Sequence, residues 1–304
     1  MTENEFLLQD RITKIRSVNE KYNLEDKSYI SFSGGKDSSV LSKLFDLAIP
    51  GNSIPRVFIN TDIEYNMIVD FVKDCKEHDE RIIIIKPSQD IKHVLEKYGY
   101  PFKSKEHSQK VSYYQNGGLE KTVVDYLGRG DKKTFTCPKK LEYNFTPEFT
   151  LKVSDKCCYK LKKEPADSWS SENKKPVAIT GMRKNEGGIR RSIKSCTVFY
   201  DDECKELKKF HPLLPVNDDF INWFIKSYNV NLCCLYSPPY NFKRTGCKGC
   251  PYSTDLKKQL EIMKNYLPAE RKQCETIWKP VYEEYRLTGY RLEKSLYGRR
   301  RNFH

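Results

Sequence analysis

The sequence predicts an α/β fold built on a doubly wound parallel sheet, on three observations. Short β-branched runs alternate with amphipathic helical stretches over the first 90 residues or so, a Gly-Gly turn follows the first run, and no repeat or low-complexity tract interrupts the pattern. A chain of 304 residues is long enough to bury a full core, as one large domain or two smaller ones.

Each element has its own warrant. Phe6, Leu7, Ile12, Ile15 and Val18 recur at helical spacing within residues 4–22. Residues 28–32 read as the first strand. Residues 37–47 then carry Val40, Leu41, Leu44, Phe45 and Leu47 on a helix that Ile49-Pro50-Gly51 ends. A second strand is expected at 56–60, a helix at 65–77 and a third strand at 81–86. Residues 175–180 return to strand character, and Asn217 is placed to cap an amphipathic segment containing Phe220, Ile221, Trp223, Phe224 and Ile225. From residue 254 the pattern is helical, with Leu256, Leu260, Ile262 and Met263, then Ile277, Val281 and Tyr285. Residues 102–150 are rich in Lys, Tyr, Gly and Asp, with breaks at Gly117-Gly118 and Gly128-Arg129-Gly130-Asp131; a basic insert acting as a mobile lid is expected there. The expected domains are 1–253, binding nucleotide and holding the insert, and 254–304, a helical basic C-terminal extension.

Composition narrows the function classes. The formal charge of +13 favours anionic partners: nucleotides, sulfated substrates or nucleic acid. The first residues carry Glu3 and Glu5 and lack an apolar core, and the longest aliphatic run is Ile82-Ile83-Ile84-Ile85, so a soluble cytoplasmic protein without a membrane partner is expected. In that compartment eleven cysteines argue for metal or cluster ligation over structural disulfides.

Ser33-Gly34-Gly35-Lys36-Asp37-Ser38 directly follows the first strand and reads as a phosphate cradle. Two glycines let the backbone approach a ligand closely, and the next helix offers unpaired N–H groups to an anion. Lys36 adds charge, and Ser33 and Ser38 add hydroxyls. The spacing is not that of GxxxxGK[ST], which sets the run apart from an ordinary P-loop. It resembles the PP-loop of the ATP pyrophosphatase superfamily, which includes phosphoadenylyl-sulfate and adenylyl-sulfate reductases, tRNA thiolation enzymes and DNA phosphorothioation enzymes. That resemblance implies a Rossmann-like, adenine nucleotide alpha hydrolase-like sheet, with the ligand beyond the carboxyl ends of its strands.

Cys157-Cys158 and Cys247-Lys248-Gly249-Cys250 form two close thiol pairs. Four soft thiolates suit a [4Fe–4S] cluster or tetrahedral zinc. The double Cys favours the cluster, since zinc ligands usually stand two to four residues apart. Cys157-Cys158 with the basic segment before Pro165, and Thr245-Gly246-Cys247-Lys248-Gly249-Cys250-Pro251, resemble the cluster-bearing branch of the sulfonucleotide reductases. Between them Gly181-Met182-Arg183-Lys184-Asn185-Glu186 is similar to that family's Gly-x-Arg-x-x-Glu segment, whose Arg lines the nucleotide's anionic groups.

The resemblance implies a site in which Lys36, Asp37 and Arg183 act in catalysis. Ser33, Gly34, Gly35, Lys36, Asp37, Ser38, Arg183 and Arg190 would hold the nucleotide, and Cys157, Cys158, Cys247 and Cys250 the cluster. Mg2+ is the expected counter-ion, held by Asp37. The reductases act through a cysteine on a C-terminal tail, whereas the tail here, Tyr297-Gly298-Arg299-Arg300-Arg301-Asn302-Phe303-His304, has none. The leading expectation is therefore a relative that cleaves ATP, adenylylates an acceptor and delivers sulfur to it, working with a sulfur- or electron-donor protein. The alternatives are a reductase releasing sulfite through Cys137 or Cys274, and a non-catalytic module binding nucleotide, or nucleic acid through the basic C-terminus.

Overall fold

The computed structural model describes residues 2–130, 136–201 and 205–294. Six strands form one sheet: β1 (Ser28–Ser31), β2 (Arg56–Ile59), β3 (Ile82–Ile85), β4 (Val177–Ile179), β5 (Thr197–Phe199) and β6 (Leu207–Phe210). Their spatial order is β3-β2-β1-β4-β6-β5, parallel throughout except for the β5–β6 pair. The chain steps outward from β1 to β3 and returns to β4 on the other side of β1. That reversal makes the β1/β4 boundary the switch point at which open α/β sheets bind ligands.

The chain packs as two compact units that interleave in sequence. The first comprises Met1–Asn60, Glu64–Pro87 and Glu164–Thr245 and holds the sheet. Its core joins Leu8, Ile15 and Val18 of the first helix, Glu3–Tyr22, to Val40, Leu41, Leu44 and Phe45 of the helix Lys36–Ala48. Ile30, Ile179 and Phe210 of the strands complete it with Phe220, Ile221 and Phe224 of the helix Asp218–Ser227. Asn217 caps that last helix as expected, its side chain accepting from Phe220 N–H at 2.8 Å.

The second unit comprises Thr61–Ile63, Ser88–Lys163 and Gly246–His304. The C-terminal helices Leu256–Tyr266, Pro268–Ile277 and Lys279–Thr288 thus pack in one unit with residues 88–163. The expected division at 253/254 describes a sequence segment, and these units describe packing.

Two expectations need correction. The described part of the 102–150 insert is folded, with helices Lys105–Gly117 and Lys121–Tyr126 and a 3-10 turn Lys139–Phe145 burying Val111, Val123, Tyr126, Leu141 and Phe145. Its buried stripe includes His107 and Ser108, so a search for apolar periodicity passes over it. The β5 strand was not expected, because its three residues are too few to show alternation. Asp131, Cys204 and Arg299-Arg300-Arg301 lie outside the described residues. No helix among the described residues is long and apolar enough to cross a membrane.

Candidate nucleotide and thiol sites

In the first unit β1 ends directly at the Gly-Gly turn. Gly34 has φ +65, and a Cβ there would meet Val72 Cγ2 at 2.8 Å and Ile68 Cγ2 at 3.0 Å. Both the backbone conformation and the close helix therefore demand glycine. Gly35 occupies the N-cap of the helix Lys36–Ala48 and supplies no side-chain cap, so the first-turn amides look outward. Ser38 braces the turn: its hydroxyl donates to Gly35 O at 2.8 Å and accepts from Ser33 N–H at 3.2 Å. One amide is already engaged, since Lys36 N–H donates to the Tyr236 hydroxyl at 3.1 Å, and that hydroxyl bonds Thr245 Oγ1 in turn. Neither Tyr236 nor Thr245 is signalled by the local sequence around the loop. Burial raises the Tyr236 phenol above its ordinary range, which keeps it neutral.

Arg183 reaches this turn from the end of β4. Gly181 makes the approach, because a Cβ there would meet Asp37 O at 3.1 Å. The Arg183 guanidinium is only 5 % exposed; its Nε lies 3.0 Å from Asp37 Oδ1 and its Nη2 2.8 Å from Asp218 Oδ1. Among the described residues its Nη1 has no hydrogen-bond partner. A buried cationic donor left over in this way is costly unless an anion completes it. Burial pushes the Asp37 carboxyl above its usual range, opposed by Arg183. Arg190 is held on the same loop through Glu186, 2.5 Å away, which also pairs with Arg244. Sequence reasoning brought Ser33 to Ser38, Arg183 and Arg190 to one end of the sheet. It gave neither Asp218 nor Arg244 a place in the site.

In the second unit Cys157, Cys158, Cys247 and Cys250 line one small cavity with Pro101, Leu161, Lys162, Tyr252 and Trp278. The adjacent pair lies where the helical turn Lys156–Cys158 passes into a π-helical turn, Tyr159–Lys163. Pro165 has no N–H to return to the Leu161 carbonyl, so a regular α-turn cannot continue there. The second pair is fixed from the C-terminal helices. Trp278 Nε1–H donates to Lys248 O at 3.0 Å, the Tyr282 hydroxyl donates to Gly249 O, and the Tyr285 hydroxyl donates to Pro251 O at 2.9 Å. Gly249 has φ +61, and a Cβ there would meet Cys274 Sγ at 2.8 Å.

Burial and the neighbouring thiols raise the Cys157 and Cys250 thiols well above the ordinary cysteine range. These two thiols stay protonated unless a cationic centre draws off their protons. Among the described residues no three His, Cys, Asp or Glu side chains stand close enough to hold a single metal ion, and the ten cysteines are free of disulfides. The donor set is all sulfur.

The model of the phosphoadenosine phosphosulfate reductase domain matches residues 27–124 and 129–253. The chain belongs to this family. The match takes in the Gly-Gly turn, the Arg183 loop, all four cysteines and most of the insert. Membership makes a nucleotide-binding role in sulfur chemistry the coarse function of the chain.

No curated protein matches it. Among solved structures it is similar to phosphoadenylyl-sulfate reductase from Candida auris in a phosphate complex, at 14 % identity over 73 % of this chain and 81 % of that one, TM-score 0.42. It is similar to a mutant FMN adenylyltransferase from Candida glabrata at 15 % identity, covering 79 % and 62 %, TM-score 0.45. It is also similar to U34-tRNA thiolase NcsA from Methanococcus maripaludis with its [4Fe–4S] cluster, at 16 % identity, covering 94 % and 80 %, TM-score 0.39. At these scores none of the three bears on mechanism.

Proposed function

We propose that this family member cleaves ATP between the α- and β-phosphates, adenylylates an acceptor and transfers sulfur to it. An acceptor oxygen attacks the α-phosphorus and pyrophosphate leaves; hydrosulfide then attacks the acceptor carbon, forming the C–S bond as the C–O bond breaks and AMP departs. The observation that carries the reading is the buried Arg183 guanidinium, its Nη1 unpartnered among the described residues, beside a helix N-terminus whose N-cap residue, Gly35, has no side chain. Two anion-binding devices meet there, and a polyphosphate satisfies both.

Lys36 and Ser38 hold the departing pyrophosphate in this reading, and Arg183 steadies charge developing at the α-phosphate. Asp37 orients Arg183 through Oδ1 and keeps its other oxygen for Mg2+. Cys157, Cys158, Cys247 and Cys250, which line one cavity as an all-sulfur donor set, are the residues that would hold a [4Fe–4S] cluster. When bound, the cluster would supply a redox-active iron–sulfur centre at the pocket. The protein's own part is a dry thiol pocket with Lys162 on its wall.

The test is ATP turnover, read as AMP and pyrophosphate, in anaerobically purified chain and in Lys36→Ala. A loss of two to three orders of magnitude with an unchanged circular dichroism spectrum is expected, comparable to removing one oxyanion donor; unchanged turnover refutes the assignment. Iron, sulfide and zinc analysis decides the cluster.

A second reading, a reductase releasing sulfite, is weakened at the two thiols first considered for it. Cys137 and Cys274 are buried, and burial pushes both thiols up to about 12. Cys234 is exposed, its Sγ 3.6 Å from Met67 Sδ, and keeps that reading testable. Sulfite release from adenylyl-sulfate that vanishes in Cys234→Ala would establish it.

A further inference from the structure

The charge of the chain is unevenly shared. Residues 61–63, 88–163 and 246–304 hold 29 Lys and Arg against 17 Asp and Glu, a balance of +12; the rest hold 25 against 24. Among the described residues of this second unit the count is 24 against 16. A solvated basic face needs no partner, so charge alone decides nothing.

The arrangement of the lysines adds the deciding detail. On the helix Ile91–Tyr98 and the turn after Cys158, ammonium groups alternate with phenol rings. Lys97 and Lys160 each lie 5.4 Å from the centre of the Tyr98 ring, and Lys160 and Lys163 lie 5.7 and 5.6 Å from that of Tyr159. Lys152 joins the row by donating to Lys97 O at 2.6 Å, and exposed Lys156 precedes Cys157. Tyr159 is 42 % exposed. Among the described residues Lys97, Lys152, Lys156 and Lys163 pair with no carboxylate; nearby Glu96 faces Lys92 at 4.0 Å, and Asp155 is half-buried. Lys162, in the same π-helical turn as Lys160 and Lys163, lines the cavity of the four thiols.

We propose that this row is a docking surface for a single-stranded stretch of nucleic acid. Lysines spaced along an extended track neutralise successive phosphates, and an exposed phenol between ammonium groups offers a base a stacking platform. A duplex keeps its bases stacked on each other and gains nothing from the ring, and an acidic peptide is served by the lysines alone. That the strand is also the sulfur acceptor rests on the function proposed above; the docking itself does not.

The experiment is fluorescence anisotropy of labelled 20-nucleotide single-stranded RNA and DNA of one sequence, titrated with anaerobically purified full chain between 50 and 200 mM salt. Binding is expected at low salt, falling steeply as salt rises. The variant Lys97→Gln/Lys152→Gln/Lys163→Gln should flatten the log–log salt slope by about 2, at roughly 0.7 per phosphate contact. Tyr159→Ala should weaken binding about tenfold at every salt concentration and leave the slope unchanged. Binding of either strand supports the surface, and the tighter one names its source. No binding at 50 mM salt, affinities unmoved in both variants, or polyglutamate competing as well as the oligonucleotide would overturn it. ATP turnover without oligonucleotide is followed in the same preparations. A chain that binds strand but cleaves no ATP overturns the earlier reading and keeps this one; one that cleaves ATP but binds no strand does the reverse.

Discussion

The Gly-Gly turn and the thiol pocket are built in opposite ways. Gly34, Gly35, Lys36 and Ser38 are neighbours in sequence, and the donors they present are largely backbone amides fixed by local geometry. Cys157-Cys158 and Cys247/Cys250 come from distant segments and meet only because Trp278, Tyr282 and Tyr285 hold the carbonyls of the second pair's loop. A local site survives damage elsewhere in its unit, while an assembled one depends on every segment that contributes to it.

The sharpest way to break this contrast is a pair of lesions. Cys250→Ser should cost the chain nearly all of its iron and sulfide with nucleotide binding retained, whereas Lys36→Ala should do the opposite. Elemental analysis and ATP binding measured on both proteins check this, and parallel losses in both would abolish the distinction.

Acid should test both units, since each buries a neutral histidine. His211 bonds Thr180 Oγ1 at 2.8 Å in the first unit, and burial pushes its imidazole down from 6.5 to about 4. His107 lies between Tyr126 and Asn144 in the second, pushed down to about 3 by burial. Unfolded imidazoles take up protons near 6.5 and the folded ones only below about 4, so the unfolded chain binds protons first as pH falls. Stability is then complete above 6.5 and lost progressively toward 4, by roughly 3 kcal/mol for His211 at 1.36 kcal/mol per unit. Thermal unfolding between pH 4 and 7 should show it, with His211→Gln and His107→Gln each flattening the curve.

Next in size come the glycines. Gly34→Ala and Gly249→Ala each force a side chain into positive φ against close neighbours, for about 2 kcal/mol of stability apiece. The first should weaken nucleotide binding and the second iron retention. The smallest effect is Tyr285→Phe, which removes the bond to Pro251 O and the one accepted from Lys103 N–H and should cost about 1.5 kcal/mol in denaturant unfolding with little change in iron content.

The same contrast explains what the sequence discloses. Ser33 to Ser38 is readable because a strand, two glycines and a helix start follow one another, and the parallel sheet is readable from the alternation around it. The four thiols are readable by donor chemistry, although their meeting rests on aromatic side chains some 30 residues further on. Tyr236 reaches Lys36 across 200 residues, which no local pattern encodes. The insert was misjudged because His107 and Ser108 turn inward on its helix, hydrogen-bonded within the unit, where periodicity seeks apolar groups.

The Tyr236 hydroxyl on Lys36 N–H has a consequence for turnover. The phenol gives that amide an acceptor from within the chain itself. A ligand oxygen arriving at that amide must evict the phenol, and entry becomes an exchange of one acceptor for another, worth only their difference. The displaced phenol competes for its old place, and the loop thereby favours letting a bound anion go over holding it.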